Sequence, residues 1–274
     1  MGRVFCIDIA RCSGCYNCQF ACKDEHCGNE WLPYAKEQPL TGQFWTKIEE
    51  HVRGSKPNVR IYYKPLMCGH CADAPCLKAA KDGAVYRRED GLVLIDPEKS
   101  AGQRQIMEAC PYGMIYWNDA LDLPQKCTGC AHLLEDGLKP RCVDVCRTGA
   151  LQFGDEEEFA DFISEATVLN PEFGTGPRVY YKNIPGQFIA GTVYDPEEEV
   201  VIRNARCILS CGEKTWEIIT DTFGDFWFRE LPVGIFDLKI EAEGFETIER
   251  PGIDTAECVS LGDIPMKRLQ TQQK

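Results

Sequence analysis

The residues best suited to do chemistry in this sequence are its 17 cysteines, 14 of which precede residue 150. Residues 12–22 read CSGCYNCQFAC, so Cys12, Cys15, Cys18 and Cys22 are separated by two, two and three residues. This is the spacing of a [4Fe–4S] ligand run, in which three thiolates bind one cluster and the fourth binds a neighbouring cluster. A structural zinc site instead draws its ligands from separate pairs. The run therefore predicts an iron–sulfur protein with paired clusters.

Three further segments carry all or part of the same spacing. The segment CGHCADAPCLKAA contains Cys68, Cys71 and Cys76, with Ala80 where a fourth cysteine would stand. The segment KSAGQRQIMEACPYG ends on Cys110, and counting back along the motif reaches Ser100, Gln103 and Ile106 instead of cysteines. The last segment has Cys127 and Cys130, then eleven other residues, then Cys142 and Cys146. The first and fourth runs thus have all four cysteines, the second run lacks its fourth cysteine, and the third run keeps only its fourth.

The exchange of fourth ligands between paired runs sorts these cysteines into clusters. Pairing the outer runs gives two sets, Cys12, Cys15, Cys18 and Cys146, and Cys127, Cys130, Cys142 and Cys22. Pairing the inner runs gives one complete set, Cys68, Cys71, Cys76 and Cys110. The remaining site would use positions 80, 100, 103 and 106, and Ala80, Ser100, Gln103 and Ile106 are the residues found there. The sequence therefore predicts three [4Fe–4S] clusters and a lost fourth site.

Other interpretations of these cysteines stay open at this point. The set at Cys68, Cys71 and Cys76 could bind a [3Fe–4S] cluster without Cys110, and the last run could bind zinc. The outer runs could also pair differently while using the same ligands. A disulfide framework fits poorly, because the cysteine number is odd and no export signal is evident. Cys6, Cys27, Cys207, Cys211 and Cys258 are interpreted as ordinary thiols.

Composition limits the class of protein. The chain has 274 residues, is 44% hydrophobic and 27% charged, and contains no apolar run long enough for a membrane span. Its net charge of −13 argues against nucleic acid as a partner. The N-terminal sequence lacks the apolar core and cleavage site of a signal peptide, which predicts a cytoplasmic location.

The elements around the cysteine runs predict an α+β fold with two interleaved modules over residues 1–180. Strands are expected at 3–9, 59–64, in a hairpin at 84–95 with an Asp-Gly turn, at 114–118 and at 149–154. Asp155 and Glu158 form a capping box for a helix in DEEEFADFISEA. The segment PEFGTGPRVYYKNIPG is interpreted as an extended linker, and 23–58 as an unassigned loop-rich insertion.

Residues 181–274 change in character and predict an antiparallel β-sandwich. About seven alternating strands are expected, in FIAGTVYD, ARCILS, TWEIITD, DFWFREL, GIFDLKIEA, ECVSL and IPMKR. No catalytic arrangement of side chains is evident there, so a packing or docking role is expected.

The quoted motifs carry a family resemblance. The phrase ACKDEH, the segments CGHCADAPC and ACPYG, and the closing CRTGAL make residues 1–180 similar to the iron–sulfur subunits of the dimethyl sulfoxide reductase-type molybdopterin enzymes. In this family such modules resemble bacterial ferredoxins. The segment TDTFGDFWFRELPVGIFDLKIEAEGF resembles the transthyretin-like or carboxypeptidase-regulatory, Ig-like sandwich. Arg147 departs from the motif, which has proline after the last cysteine.

This resemblance implies a non-catalytic small subunit in a heterodimer or a multiple of it. The partner would be a large catalytic subunit that holds molybdenum and pyranopterin, in an anaerobic cytoplasm. The lost fourth site puts long-range electron transfer to an outside acceptor in doubt, and it fits an enzyme whose reaction exports no electrons. The alternatives are the electron-transfer subunit of a different molybdenum or tungsten oxidoreductase, or a free-standing multi-cluster ferredoxin.

Overall fold

A computed structural model describes residues 2–269. Residue 1 of the first expected domain and residues 270–274 of the second lie outside the described part. The chain divides into two compact units. One unit comprises the chain up to Glu50 together with Tyr62–Ile184, and the second comprises His51–Ile61 and the chain from Pro185 onward.

The first unit contains six short helices and several short strands. The helices are α1 (Asn17–His26), α2 (Pro75–Ala79), α3 (Arg104–Glu108), α4 (Ala131–Glu135), α5 (Arg141–Asp144) and α6 (Ala160–Ser164). The strands are β1 (Arg3–Asp8), β4 (Val85–Arg87), β5 (Val93–Ile95), β6 (Tyr116–Asn118), β7 (Leu123–Gln125), β8 (Leu151–Asp155) and β9 (Val179–Lys182), and β2 (Thr46–Ser55) and β3 (Asn58–Met67) continue into the second unit.

A three-stranded sheet in the order β8–β1–β9 brings the two ends of the first unit together. Strand β1 pairs antiparallel with β8 and parallel with β9. Its near-continuous burial, from Val4 to Ile7, is that of a central strand covered on both faces. This sheet fixes the loop that follows β1 beside the segment that precedes β8, and both of these carry cysteines.

Two expectations for residues 155–186 have different outcomes. The capping box of Asp155 and Glu158 is confirmed, although the first turn after it is a 3₁₀ turn and the helix α6 is short. The extended linker is wrong, because Val179–Lys182 is strand β9 of the central sheet. Val179 and Tyr181 are buried there, so the alternation VYYK was the signal of a strand.

The insertion at 23–58, unassigned from sequence, completes α1 and then forms most of a long hairpin. Strands β2 and β3 pair only with each other among the described residues. The tip of this hairpin belongs to the second unit, where Asn58 accepts a hydrogen bond of 2.8 Å from Ser260.

The second unit is a β-sandwich of eight strands. They are β10 (Gln187–Asp195), β11 (Val200–Val201), β12 (Arg206–Cys211), β13 (Lys214–Ile219), β14 (Asp225–Leu231), β15 (Ile235–Glu241), β16 (Ile248–Asp254) and β17 (Val259–Pro265). One sheet has the order β11–β10–β14 with β17 also on β10, and the other has the order β13–β12–β15–β16. Side chains from both sheets, among them Ile189, Phe226, Leu209 and Phe236, form one buried core.

Three details of the sandwich correct the sequence prediction. Strand β16 was missed, because Pro251 and Gly252 interrupt the pattern, and both are tolerated at the edge of a sheet. The segments ECVSL and IPMKR contribute to a single strand, β17. That strand pairs parallel with β10, so the sandwich is not wholly antiparallel.

Within residues 2–269 no helix is long and apolar enough to cross a membrane.

Candidate metal centres

The first group of thiols lies between β1 and α1, with one member contributed from after α5. Cys12, Cys15 and Cys18 follow a 3₁₀ turn at Ile9–Arg11. Burial, with repulsion from Cys12 and Cys146 as a smaller cause, raises the pKa of Cys18 to about 12. The backbone N–H of Leu151 donates to Sγ of Cys146 at 3.3 Å. Cys146 is therefore a neighbour of the first run, although more than 120 residues separate them in sequence.

The loop of the first group is shaped for close approach. Gly14 has φ +67°, and a Cβ atom there would lie 2.5 Å from the ring of Tyr63. Tyr16 also has a positive φ of 60° and immediately precedes α1. A glycine at position 14 is required both by the backbone conformation and by the packed ring.

The second group combines α1, the loop before α4, and α5. Cys22 lies in α1, Cys127 and Cys130 flank the turn at Gly129, and Cys142 lies in α5. Burial raises the pKa of Cys130 to about 12, and repulsion from Cys22 adds to it. The backbone N–H of Gly129 donates to Cys127 at 3.3 Å, and that of Arg141 donates to Cys130 at 3.5 Å. The eleven residues inserted before Cys142 thus form α4 and a return loop that leaves the thiols together.

The third group lines a cavity of about 350 Å³, a volume that includes space open to solvent, and its thiols Cys68, Cys71, Cys76 and Cys110 are joined there by apolar side chains. Burial raises the pKa of Cys76 to about 11, with smaller contributions from Cys68 and Cys110. The lining includes Val93 and Ile115, which are themselves buried and make that part of the wall apolar.

The three groups have an order in space. Besides the thiols of its own group, Cys142 is close enough to Cys18 for repulsion between them to raise its pKa. Repulsion from Cys68 likewise raises the pKa of Cys127. In both thiols burial is the larger cause. The second group is therefore a neighbour of both the first and the third.

Side chains fill the position of the fourth site. Ile106 is fully buried and packs in a cluster with Ala84, Val85 and Ile115, against which Ala80 also packs. The side-chain amide of Gln103 makes two hydrogen bonds to the backbone. Its oxygen accepts from the N–H of Lys81 at 2.9 Å, and its nitrogen donates to the carbonyl oxygen of Lys99 at 2.8 Å. Ser100 is also fully buried. Apolar atoms and a backbone-bonded amide occupy the positions where cluster ligands would stand, so these four residues do not fit a cluster.

Replacing Ile106 by alanine tests whether this position is simply core. We expect the free energy of unfolding to fall by about 2–5 kcal/mol, as for other buried large-to-small changes. Denaturant unfolding of the variant measures it, and iron content should be unchanged because Ile106 is no ligand. An equal loss from Ile61→Ala, at a side chain that is 49% exposed, would contradict the core role.

The donor set suits clusters held by thiolates. Burial raises the pKa of most of these thiols, so they become good ligands only when a metal's positive charge favours the thiolate. Within residues 2–269 no three His, Cys, Asp or Glu side chains converge closely enough to hold one metal ion. The thiols of each group are close enough to repel one another, as the thiolate ligands of one [4Fe–4S] cubane would be.

A polar network beside the second group was not predicted. The carboxylate of Glu25 accepts hydrogen bonds from Nε of Arg141 at 2.7 Å and from Nε2 of His132 at 3.0 Å. Burial raises the pKa of Glu25, but the bonds from Arg141 and His132 outweigh it and leave the pKa below its usual value. The indole of Trp31 stacks on His132 with the ring centroids 4.2 Å apart. The motif ACKDEH contained Glu25, but its partner Arg141 is 116 residues away.

His26 and Thr175 also contact the ligand groups. Nε2 of His26 lies 3.9 Å from Sγ of Cys130. Burial, and next repulsion from His132, lowers the pKa of His26 to about 3, so the ring is neutral at pH 7. A hydrogen bond with the Thr175 side chain lowers the pKa of Cys71, although burial raises it overall. Thr175 lay in the supposed linker, and no local signal marked it.

None of the 17 cysteines, all of which lie within residues 2–269, forms a disulfide, and five of them belong to none of the three groups. Cys6 is buried in β1 and Cys207 in the core of the sandwich. The thiol of Cys258 donates to the amide oxygen of Gln187 at 2.8 Å.

Comparison with known protein families matches both parts of the chain. Residues 59–156 match a family model described as a 4Fe-4S dicluster domain. Residues 189–260 match a carboxypeptidase regulatory-like domain.

Three curated proteins illustrate the similarity. The small subunit of pyrogallol hydroxytransferase from Pelobacter acidigallici is 39% identical, over 95% of this chain and 97% of the relative. The B subunit of the anaerobic dimethyl sulfoxide reductase of Escherichia coli (strain K12) is 36% identical, over 56% of this chain and 74% of the relative. The iron–sulfur subunit of arsenate respiratory reductase from Shewanella sp. (strain ANA-3) is 30% identical, over 64% and 93%.

Proposed function

The chain belongs to the iron–sulfur electron-transfer subunits of the dimethyl sulfoxide reductase-type molybdopterin enzymes, and from that premise we propose that it is the small subunit of a pyrogallol hydroxytransferase. The reaction of the complex would be hydroxyl transfer from 1,2,3,5-tetrahydroxybenzene to pyrogallol, in which the donor becomes phloroglucinol and the pyrogallol becomes a new molecule of the tetrahydroxybenzene. The large subunit, with molybdenum and pyranopterin, would carry out this chemistry.

The observation that carries the proposal is the length of the match to the hydroxytransferase subunit. It extends over 95% of this chain, whereas the match to the dimethyl sulfoxide reductase subunit covers 56%. The longer match therefore includes most of the β-sandwich as well as the cysteine runs. A β-sandwich that follows the cluster domain is therefore a feature that we infer this chain shares with the hydroxytransferase subunit.

We propose three [4Fe–4S] clusters held by the three thiol groups. The ligands are Cys12, Cys15, Cys18 and Cys146 in the first, Cys22, Cys127, Cys130 and Cys142 in the second, and Cys68, Cys71, Cys76 and Cys110 in the third. Such clusters accept and release single electrons. The electrostatic proximity of thiols within each set supports this assignment: after burial, repulsion from Cys146 raises the pKa of Cys18, and repulsion from Cys22 raises that of Cys130. We propose on the same ground that two interleaved ferredoxin-like modules exchange Cys22 and Cys146.

The filled fourth position supports a role in redox poising within the complex. Ile106 and Ala80 replace ligands with apolar packing next to the third group, so a series of clusters that begins at the first group would end at the third. An electron reaching that end would have no further protein-bound carrier in this chain. Hydroxyl transfer between two phenols needs no net electron export. A series of clusters that ends within this chain is therefore compatible with that reaction.

Purification of the tagged chain from its anaerobic host tests this function. We expect a heterodimer or multiple of it, in the cytoplasmic fraction, which contains molybdenum and pterin and converts pyrogallol to phloroglucinol when tetrahydroxybenzene is added. A stable monomer without molybdenum would contradict the subunit role and favour a free ferredoxin. A molybdenum complex that reduces an oxyanion or sulfoxide but transfers no hydroxyl group would contradict the substrate alone.

A further inference from the structure

Lys126 is a buried cation located between two of the ligand groups. Its side chain is 3% exposed, and it immediately precedes Cys127 of the second group. Nζ donates one hydrogen bond to the carbonyl oxygen of Val93 and another, of 3.1 Å, to that of Cys127. Val93 lines the cavity of the third group. The two bonds therefore attach the ammonium group to backbone from both sides.

This ammonium group has no acidic partner within residues 2–269: neither of its two hydrogen bonds goes to a carboxylate. An ammonium has three N–H donors, so two bonds leave one donor without a protein acceptor in the described part of the chain. A buried charge is costly unless an opposite charge accompanies it. The arrangement thus calls for an anion that the described side chains do not supply.

The thiols of the third group lie within its electrostatic reach, and they would become anionic thiolates on binding a cluster. Lys126 lowers the pKa of Cys76 and of Cys110, although burial outweighs it at both. Val93, whose carbonyl oxygen accepts from Lys126, also donates its backbone N–H to Nδ1 of the buried His70 at 3.1 Å, and His70 lines the same cavity. The electrostatic potential of the ammonium group is therefore positive in the cavity that Cys76 and Cys110 line.

We propose that Lys126 is a potential-setting residue, whose buried charge compensates the cluster held by Cys68, Cys71, Cys76 and Cys110 and raises its reduction potential. A [4Fe–4S] core with four thiolates is a dianion when oxidised, and it becomes a trianion when one electron is added. A nearby cation favours the trianion more than the dianion, and low polarity strengthens that preference. The cluster of the third group would therefore be reduced more readily, and it would hold the added electron at equilibrium. This inference rests on the cluster assignment proposed above.

Redox titration of the purified complex tests the inference. In Lys126→Met, with dithionite as the electron donor and electron paramagnetic resonance as the readout, we expect the reduced fraction of the third cluster at a fixed potential to fall. The ratio of reduced to oxidised cluster should fall about tenfold, which is about 59 mV for a one-electron couple. Lys126→Arg keeps the charge and should restore the wild-type ratio. The cluster of Cys12, Cys15, Cys18 and Cys146 should not change.

A matched control removes a lysine near the same group. Lys78 is two residues from Cys76, but its side chain is 64% exposed and paired with Asp73 at 2.6 Å. Lys78→Met should leave the potential unchanged, because solvent screens that charge.

The outcomes separate charge from packing. Loss of the third cluster from Lys126→Met, with retention in Lys126→Arg, also supports charge compensation. An unchanged ratio in Lys126→Met, loss of the cluster from both variants, or an equal shift in Lys78→Met would overturn the inference. Iron content of the wild-type protein is measured separately, so a wrong cluster assignment would be detected there and not mistaken for a failure of Lys126.

Discussion

Replacing Cys110 by alanine should remove one cluster from this protein and leave two. Iron should fall from about 12 to about 8 per chain, because four thiolates are needed for each [4Fe–4S] cluster. The residue belongs to a run whose other ligand positions are Ser100, Gln103 and Ile106, so a local interpretation would call it a stray thiol. Its neighbours in space are instead the thiols of the third group, since repulsion from Cys68 is one cause that raises its pKa, after burial.

Iron and acid-labile sulfide analysis, with electron paramagnetic resonance, measures the effect of Cys110→Ala. The signals of the first and second clusters should persist. Cys27→Ala is the matched control, since it removes a free thiol just after α1 that belongs to none of the three groups. An iron content unchanged by Cys110→Ala would show that the third group does not need this residue, and 11 iron atoms in the wild type would favour a [3Fe–4S] cluster there.

Replacing Cys22 by alanine should remove the second cluster, not the one built on its own run. Cys22 lies in α1 only four residues after Cys18, yet its thiol is a neighbour of Cys130. We expect about four iron atoms per chain to be lost. Because the second group is a neighbour of both of the others, electron transfer from the first cluster to the third should also become much slower if it passes through the second.

Comparison with Cys18→Ala makes the Cys22 experiment decisive. That variant should lose the resonance signal of the first cluster and keep that of the second. If the two variants lost the same signal, the run at residues 12–22 would hold one cluster by itself and the exchange of ligands would be wrong. Rapid-mixing reduction of each variant would then report the altered order of the clusters.

The sequence predicted most of what depends on local spacing. Three thiolates within seven residues of a tight loop must converge wherever the fold places them, as at Cys12, Cys15 and Cys18. The capping box at Asp155 and Glu158 was recognisable for the same reason, since both partners lie within one turn. The turn signal at residues 90–91 likewise indicated the hairpin of β4 and β5.

What the sequence did not predict depends on contacts between distant segments. Strand β9 was interpreted as a linker because its partner, β1, lies more than 170 residues earlier. Lys126 and Val93 are 33 residues apart, and nothing in the sequence around either indicates a buried ammonium group beside the cavity of the third thiol group. Strand β16 was hidden by a proline that only an edge position accommodates.

The proposed loss of the fourth site has a physical consequence beyond the number of clusters. Ile106 and Ser100 are fully buried and Ala80 packs against the cluster of side chains that contains Ile106, so these positions are packed with side chains that do not bind metal. Restoring a single cysteine there would leave three ligands missing and would bury an uncompensated thiol. We therefore expect that no single change to cysteine at these four positions would create a fourth cluster.

The measurement that tests the central claim most directly is the iron and acid-labile sulfide content of the intact complex, corrected for any iron that its large subunit holds. The three thiol groups predict about 12 of each per small subunit. A value of about 16 would mean that Ala80, Ser100, Gln103 and Ile106 do not abolish the fourth site. Such a result would contradict both the ligand assignment and the interpretation of Ile106 as core.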